Sequence, residues 1–110
     1  MISHYKTAKV QTKTDAMTRK MLACDGGLMM VEVEFHKASD DPGFHSHPHE
    51  QIAYVLRGKF EFIVDGISSI LQVGDSVYVK PDVVHGAKPL EDGSTFIDVF
   101  TPQREDFQII

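Results

Sequence analysis

Hydrophobic and polar residues alternate with a period of two in several segments of the 110-residue chain, which is typical of half-buried β-strands. In LMMVEVEFHK, Val31, Val33 and Phe35 share one face, whereas Glu32 and Glu34 share the other. SVYVKP and STFIDVF are further short strands by their β-rich composition. No segment has the spacing of a long amphipathic helix, and the tail PQREDFQII is a candidate for one helical turn.

Turn residues divide the segment IAYVLRGKFEFIVDGISSILQVGD into strands that are predicted to form consecutive hairpins. Gly58 marks the first reversal, and the Asp-Gly pair at 65–66 is typical of a two-residue type I′ turn. Phe60, Phe62 and Val64 between these turns point to one side. Short strands with turns about every 8–12 residues predict an all-β sandwich, jelly roll or barrel. The length fits one domain, residues 1–110.

Charge and composition exclude several classes of protein. The net charge of −5 comes from 11 basic and 16 acidic residues without a run of like charges, which disfavours nucleic-acid binding. MISHYKTAKV lacks the apolar core of a signal peptide, and no apolar run is long enough to span a bilayer. The single cysteine, Cys24, is interpreted as a packed thiol rather than a nucleophile. These features predict a cytoplasmic protein that binds neither nucleic acid nor membrane.

The segment GFHSHPHEQ concentrates candidate metal ligands. In an extended strand His45, His47 and Gln51 face the same side, with Pro48 expected to bend the chain between them. His85, which follows the strand SVYV, is a fourth candidate. Three imidazoles and one weak amide ligand leave coordination positions open, as catalytic sites do. The sequence therefore predicts one divalent transition metal ion as cofactor: zinc, nickel, manganese or iron.

Other polar residues leave alternatives open. His49 has the same parity as the candidate ligands and can replace one of them, whereas Glu50 is expected to face away or to hydrogen-bond to a ligand. His4 and His36 have no comparable context and are interpreted as ordinary histidines. Three further residues are candidates for a pocket: Arg19, Lys20 and Tyr54.

The segment TFIDVF places a carboxylate on an apolar face of a strand. Phe96, Asp98 and Phe100 share this face, and burial of a carboxylate is costly unless it is paired or used. Asp98 is therefore either a water-exposed rim residue or a general acid/base whose pKa is raised by its apolar neighbours. Arg104 either binds a substrate carboxylate or forms an exposed ion pair with one of the two acidic residues that follow it.

Both histidine segments resemble the motifs of the cupin family. GFHSHPHEQIAYVLRG is similar to G-x5-H-x-H-x3-4-E-x6-G, and GDSVYVKPDVVHG is similar to G-x5-P-x-G-x2-H. Gly58 closes the first motif, but Gly43 lies only two residues before the first histidine. Gln51, Lys80 and Asp82 replace the usual glutamate, proline and glycine. The resemblance implies a single-domain cupin jelly-roll β-barrel with a bound metal.

The segment FIDVFTPQREDF narrows the resemblance to the KdgF family. These small cupins act in pectin and alginate breakdown, where they linearise 4,5-unsaturated monouronates. The resemblance implies functional roles for Asp98, Phe100 and Arg104, with Asp98 as general acid/base and Arg104 on the carboxylate of a sugar-acid substrate. It also implies a homodimer, and MISHYKTAKVQ is a candidate to add a strand to the partner's sheet.

Two other functions remain open at this point. A metal-dependent cupin dioxygenase would use His45, His47 and His85 with iron, copper or nickel, but it gains nothing obvious from Arg104. A non-enzymatic sugar- or metal-binding module would bind its ligand and leave it unchanged. The sequence contains no helix-turn-helix or other output domain, which disfavours a sensor.

Overall fold

The computed structural model describes residues 1–107, which form two β-sheets. Nine strands build these sheets: β1 (Lys9–Lys13), β2 (Met17–Asp25), β3 (Leu28–Phe35), β4 (Glu50–Arg57), β5 (Lys59–Val64), β6 (Ile67–Gln72), β7 (Ser76–Val79), β8 (His85–Pro89) and β9 (Thr95–Thr101). The strand orders are β1-β2-β3-β9-β4-β7 and β6-β5-β8. Within residues 1–107 the sheets share no strand pairing, so the expected barrel is not closed. The all-β prediction is confirmed.

Two short 3₁₀ helices complete the secondary structure, at Tyr5–Thr7 and Glu105–Phe107. The second is the helical turn expected in the tail, of which residues 108–110 lie outside the described part. No helix within residues 1–107 has the length and apolar composition needed to cross a bilayer.

The hydrophobic core lies between the two sheets. Val31 and Val33 of the larger sheet are buried, as the alternation in β3 predicts. The ring of Phe96 lies 5.0 Å from that of Phe60 and 5.6 Å from that of Phe62, both in the smaller sheet. Each buried side chain of this size contributes about 1.5–3 kcal/mol to folding. The aromatic contacts therefore hold the two sheets together.

The outer face of β3 is covered near the N-terminus. Glu32, assigned to the polar face of the strand, is only 4% exposed. The hydroxyl of Tyr5 donates to Glu32 Oε2 at 2.8 Å, and Lys20 Nζ lies 4.9 Å from the centroid of the Tyr5 ring. β1 pairs antiparallel with β2 of the same chain. The N-terminal segment therefore completes and covers its own sheet.

The chain crosses between the sheets at Gly58. β4 pairs with β7 and β9, whereas β5 pairs with β6 and β8, so the predicted hairpin between β4 and β5 is wrong. Gly58 has φ +75°, and a Cβ there would lie 2.8 Å from Ser94 Cα. Glycine is needed because both the left-handed backbone and this contact exclude a side chain. The reversal was predicted correctly, but the strands that it joins were not.

The hairpin between β5 and β6 is confirmed. Val64 pairs with Ile67 across the two-residue turn, and φ is +51° at Asp65 and +77° at Gly66. Positive φ at both central positions is the requirement of a type I′ turn. A turn of this length fixes the register of the two strands.

Candidate metal centre and adjoining cavity

The segment that carries His45 and His47 is a loop and not the predicted extended strand. Only His45 forms a bridge, with reciprocal backbone hydrogen bonds of 3.0 Å to His85 at the start of β8. The amide of Asp82 donates to the carbonyl of His47 at 2.8 Å. The chain bends at 48–49 before β4 begins, as expected from the proline there. Contacts between loops therefore bring the histidines together.

Two backbone features let this loop approach β8. A Cβ at Gly86 would lie 2.5 Å from the carbonyl oxygen of Pro42, to which the amide of Ala87 donates at 2.9 Å. Asp82 has φ +65°, in the region that glycine favours, and it stands at the motif position where glycine is usual. Since aspartate tolerates this conformation better than most residues, the substitution preserves the backbone shape.

Three imidazoles converge at the end of the cavity between the sheets. Ligand atoms of His45, His47 and His85 all lie within 4.8 Å of one another. The ring centroids of His45 and His85 are 4.4 Å apart, and those of His47 and His85 are 4.9 Å apart. Gln51 Oε1 lies 2.9 Å from His47 Nε2 and 3.2 Å from His85 Nε2. The four candidate ligands are therefore neighbours.

The hydrogen bonds around these rings leave nitrogen lone pairs available to bind a cation. His45 Nδ1 lies 2.8 Å from the carbonyl oxygen of Gly43, and His85 Nδ1 lies 2.8 Å from that of Val83. Because a carbonyl oxygen only accepts, each Nδ1 carries the proton, which leaves the Nε2 lone pair for a ligand. His85 Nε2 then faces Gln51 Oε1, which is also an acceptor. A metal ion bound by both atoms would turn this repulsive pair into two ligands.

Burial keeps two of the imidazoles neutral. It lowers the pKa of His85 to about 4 and also lowers the pKa of His47, where the hydrogen bond to Gln51 acts in the opposite direction. Neutral imidazole is the form that binds metal ions. The three-histidine group can therefore hold a divalent transition metal ion at neutral pH without first losing protons from these two rings.

Glu50 and His49, for which the sequence allowed more than one role, lie outside the three-histidine group. Glu50 accepts a hydrogen bond of 2.7 Å from the hydroxyl of Tyr78, so it faces away from the histidines as expected. The ring of His49 packs against that of His47 at 5.3 Å, but His49 is not one of the residues that converge.

A cavity of about 760 Å³ adjoins the histidines. Its apolar lining includes Met17, Val33, Phe35, Phe62 and Phe96. Its polar lining includes Arg19, His45, Gln51, His85, Asp98 and Arg104. This volume is within the range of about 300–1,000 Å³ that is typical of small-molecule sites. A mostly apolar wall with a few convergent polar groups is suited to one small polar ligand.

Asp98 is buried against the candidate ligands. It lies in β9 between Val31 of β3 and Ala53 of β4 and is only 5% exposed, so the interpretation as a rim residue is wrong. Gln51 Nε2 donates to Asp98 Oδ1 at 2.8 Å. Burial raises the pKa of Asp98 to about 7, although this hydrogen bond and the charge of Arg104 act to lower it. Asp98 thus has the properties of a proton-transfer group.

The tail after β9 returns to the cavity. Arg104 lines the cavity and also pairs with Asp106 through Nε–Oδ1 and Nη2–Oδ2 contacts of 3.2 and 2.7 Å. This hydrogen bonding lowers the pKa of Asp106. The predicted ion pair is therefore present, whereas binding of a substrate carboxylate stays a prediction. Phe100 does not line the cavity; it is 1% exposed and packs edge-on against His47, with ring centroids 5.6 Å apart.

Of the three further pocket candidates, only Arg19 lines the cavity. Arg19 pairs with Val33, which faces the core, so its side chain enters from β2. Lys20 packs on the N-terminal segment and Tyr54 is 44% exposed, so these two predictions are wrong. No sequence pattern pointed to Phe107, whose ring lies between the two cavity arginines. The register of β2 would have shown that Arg19 faces the cavity and that Lys20 faces the opposite side of the sheet.

The raised pKa of Asp98 predicts that the metal-free protein loses stability as the pH rises. Below about pH 4 the carboxyl is protonated in both states, whereas between about pH 4 and its folded pKa only the unfolded chain ionises. Asp98→Asn removes this loss. We expect its melting temperature, relative to wild type, to rise from about pH 4 to about pH 8 in thermal unfolding with a chelator. A constant difference between the two proteins would contradict the prediction.

Sequence and structure comparisons identify the class of protein. The family model of the cupin domain matches residues 31–99, from β3 to β9. The two packed sheets and the three-histidine group of this chain are therefore those of a cupin domain. The pectin degradation protein KdgF of Dickeya dadantii (strain 3937) is 40% identical over 93 residues, which cover 84% of each chain. The chain belongs to the KdgF family of cupins.

Solved structures support the same assignment. KdgF from Halomonas sp. has a TM-score of 0.89 and 32% identity, with 98% of both chains covered. An RmlC-like cupin from Shewanella frigidimarina NCIMB 400 has a TM-score of 0.88 and 36% identity, covering 97% of this chain and 95% of that chain. Fe(II) HppE, at 18% identity and a TM-score of 0.77 over 92% of this chain and 59% of its own, shares the fold. The predicted cupin jelly roll is confirmed.

Proposed function

We propose that the chain is a metal-dependent enzyme that converts 4,5-unsaturated monouronates to their linear keto forms. The observation that carries this proposal is the buried carboxyl of Asp98, which faces a small-molecule cavity beside the histidine centre. The 40% identity to a pectin degradation protein supports a substrate derived from pectin. Fragments of alginate carry the same unsaturated group and are proposed as substrates as well.

The reaction determines which groups the site must supply. The substrate is a cyclic enol ether with a carboxylate on C5. Linearisation adds a proton at C4 and water at C5, and the resulting hemiketal opens to a 5-keto acid. No electrons are gained or lost, so the site needs a proton-transfer group, a group that binds the carboxylate and a means of polarising the substrate.

His45, His47, His85 and Gln51 are proposed as the metal ligands. When bound, the metal ion supplies Lewis-acid polarisation of the carboxylate or ring oxygens of the substrate. The carbonyl groups of Gly43 and Val83 orient two of the rings through Nδ1. Zinc, nickel, manganese and iron all accept imidazole ligands, and none of them has to change oxidation state in this reaction.

Asp98 is proposed as the general acid/base. In its acid form it donates a proton to C4, and as a carboxylate it accepts a proton from the water that adds at C5. A pKa of about 7 provides both forms near neutral pH. Gln51 holds Oδ1, while no hydrogen bond from residues 1–107 engages Oδ2, which is therefore the oxygen proposed to face the substrate.

Arg104 is proposed to bind the carboxylate of the substrate, and Phe100 is proposed as a positioning residue. The ion pair with Asp106 engages Arg104 Nε and Nη2, which leaves Nη1 for the ligand. Phe100 acts through His47, because its ring packs edge-on against that imidazole and restricts its rotation. Both proposals can be tested by the ratio of KM to kcat effects on substitution.

The proposed assembly is a cytoplasmic homodimer. Its support is the exposed apolar surface of the larger sheet, where Ile52, Tyr54 and Tyr78 are 49%, 44% and 48% exposed. Apolar residues that are adjacent on one sheet face favour burial against a partner. Light scattering on the purified protein is the direct measurement of mass in solution.

Product analysis distinguishes the proposed reaction from its rivals. We expect metal-loaded protein to convert 4,5-unsaturated galacturonate to an open-chain keto acid, seen in proton NMR by loss of the vinylic C4 proton signal, without oxygen consumption. Coupled uptake of oxygen would favour a dioxygenase. A ligand that binds and keeps its vinylic proton would favour a non-enzymatic module.

A further inference from the structure

Two arginine side chains enter the cavity and stack on the same aromatic ring. The guanidinium carbons of Arg19 and Arg104 each lie 3.8 Å from the centroid of the Phe107 ring. Two planar groups do not fit on one face of a ring at that distance, so they occupy opposite faces. Gln11 Nε2 donates to the carbonyl of Phe107 and ties the tail to β1. The ring separates the two charges and fixes the plane of each guanidinium.

The two guanidinium groups differ in the donors that they leave open. In Arg104, Nε and Nη2 donate hydrogen bonds to the carboxylate of Asp106, whose negative charge balances the positive charge of the arginine. Among the described residues, the side chain of Arg19 makes one hydrogen bond, the long contact of 3.4 Å from Nη1 to Thr12 Oγ1, and its Nε is buried without a partner. Burial and repulsion by Arg104 lower the pKa of Arg19, whereas the charges of Asp98 and Asp106 act to raise it. No carboxylate within residues 1–107 forms an ion pair with Arg19, which therefore brings a positive charge without a direct partner to the cavity wall.

Arg19 lies on the same inner surface as the proposed proton-transfer group. It pairs with Val33 of β3, which in turn pairs with Phe96 of β9, two residues before Asp98. Arg19, Phe96 and Asp98 all line the cavity. A ligand that reaches Asp98 is thus within the field of the Arg19 guanidinium, and an anionic group on that ligand supplies the direct ion-pair partner that Arg19 lacks.

We propose that Arg19 is a second binding residue for the carboxylate of a uronate, and that it makes the cavity selective for sugar acids over neutral sugars. The identity of the ligand rests on the proposed function, whereas the need for an anion rests on the open donors of Arg19. Arg104 contributes one terminal nitrogen, because Asp106 holds the rest of its fork. In Arg19 the terminal nitrogens are engaged only by the long contact from Nη1 to Thr12, and two such nitrogens can form the paired hydrogen bonds that carboxylates prefer.

Binding of stable ligands tests this assignment without turnover. D-Galacturonate and D-galactose are titrated by calorimetry into the metal-loaded wild type, Arg19→Gln, Arg19→Lys and Lys20→Gln. Loss of charge-assisted hydrogen bonds typically costs about 1.5–3 kcal/mol, so Arg19→Gln should weaken galacturonate binding by about 10–150-fold. Its galactose affinity should stay within about twofold of wild type. Lys20→Gln removes the same charge from the adjacent residue, which packs outside the cavity, and should change neither affinity.

Arg19→Lys distinguishes the role of the paired guanidinium donors from that of the positive charge. It keeps the positive charge but lacks the paired donors, and it should bind galacturonate more weakly than wild type and more tightly than Arg19→Gln. If Arg19→Gln does not fold, as judged by its melting temperature and metal content, the proposal is tested with Arg19→Lys instead. A galacturonate affinity equal to that of wild type in the folded Arg19 variant would overturn the proposal. An equal loss of affinity in Lys20→Gln would also overturn it.

Kinetics with 4,5-unsaturated galacturonate separate this inference from the proposed reaction. We expect Arg19→Gln to raise KM more than it lowers kcat. Arg19-dependent binding of galacturonate without turnover by wild type would overturn the reaction alone. Turnover with an unchanged KM in Arg19→Gln would overturn the role of Arg19 alone. A wild-type protein that binds no galacturonate would overturn the role of Arg19 as well.

Discussion

Asp98→Asn is expected to lower kcat for 4,5-unsaturated galacturonate by about 10²–10⁴-fold, the usual contribution of general acid–base catalysis. Asparagine keeps the size of the side chain and the oxygen that accepts from Gln51 Nε2 at 2.8 Å, so the metal ligands are not disturbed. It has no carboxyl proton to donate to C4. The measurement is steady-state loss of the enol-ether absorbance, with KM expected to change less than kcat.

Asp15→Asn is the matched control for this substitution. Asp15 also lines the cavity, but its side chain is exposed and makes no hydrogen bond among the residues described. The control should retain the kcat of wild type. Metal content must be the same in both variants, so that the comparison reports on the carboxyl group. Wild-type kcat in Asp98→Asn would contradict the proposed acid/base role.

His85→Ala is expected to abolish tight metal binding, and turnover with it. The substitution removes an imidazole whose Nδ1 is fixed 2.8 Å from the carbonyl of Val83 and whose Nε2 points at Gln51 Oε1. Loss of an outer hydrogen-bond partner already costs roughly 10–100-fold in metal affinity, and loss of a ligand should cost more. Calorimetric titration of chelator-treated protein with zinc or nickel measures the affinity directly.

His49→Ala is the matched control for the assignment of His85 as a metal ligand. His49 lies in the same segment and packs against His47, but it is outside the convergent group of three histidines. We expect its metal affinity to remain within a few-fold of wild type, about 1 kcal/mol or less. Retained binding in His85→Ala together with lost binding in His49→Ala would contradict the ligand assignment.

Local sequence patterns predicted much of the fold and the convergence of three histidines. The alternation in β3 identified Val31 and Val33 as core residues, because one face of the strand is buried. The turn at 65–66 identified the hairpin of β5 and β6, because few residue pairs adopt positive φ at both positions. The spacing of His45 and His47, together with His85 after the strand SVYV, identified a group that does converge.

Contacts between distant segments explain what the sequence did not reveal. Gly58 signals a reversal, but the close approach of its backbone to Ser94, which is distant in the sequence, is not encoded in the local pattern around it. His45 and His47 converge through backbone hydrogen bonds to His85 and Asp82, and not through the alternation of an extended strand. Arg19 could be assigned to the cavity only once the pairing of β2 was known, since one step of register exchanges the two faces.

The measurement that tests the central claim most directly is the rate at which 4,5-unsaturated galacturonate loses its enol-ether absorbance. Metal-loaded wild-type protein is compared with a chelator-treated sample and with the spontaneous reaction. We predict acceleration by the metal-loaded protein, return to the spontaneous rate on chelation, and recovery when the metal is restored. A folded, metal-loaded protein that leaves the spontaneous rate unchanged would contradict the assignment of this cupin to uronate linearisation.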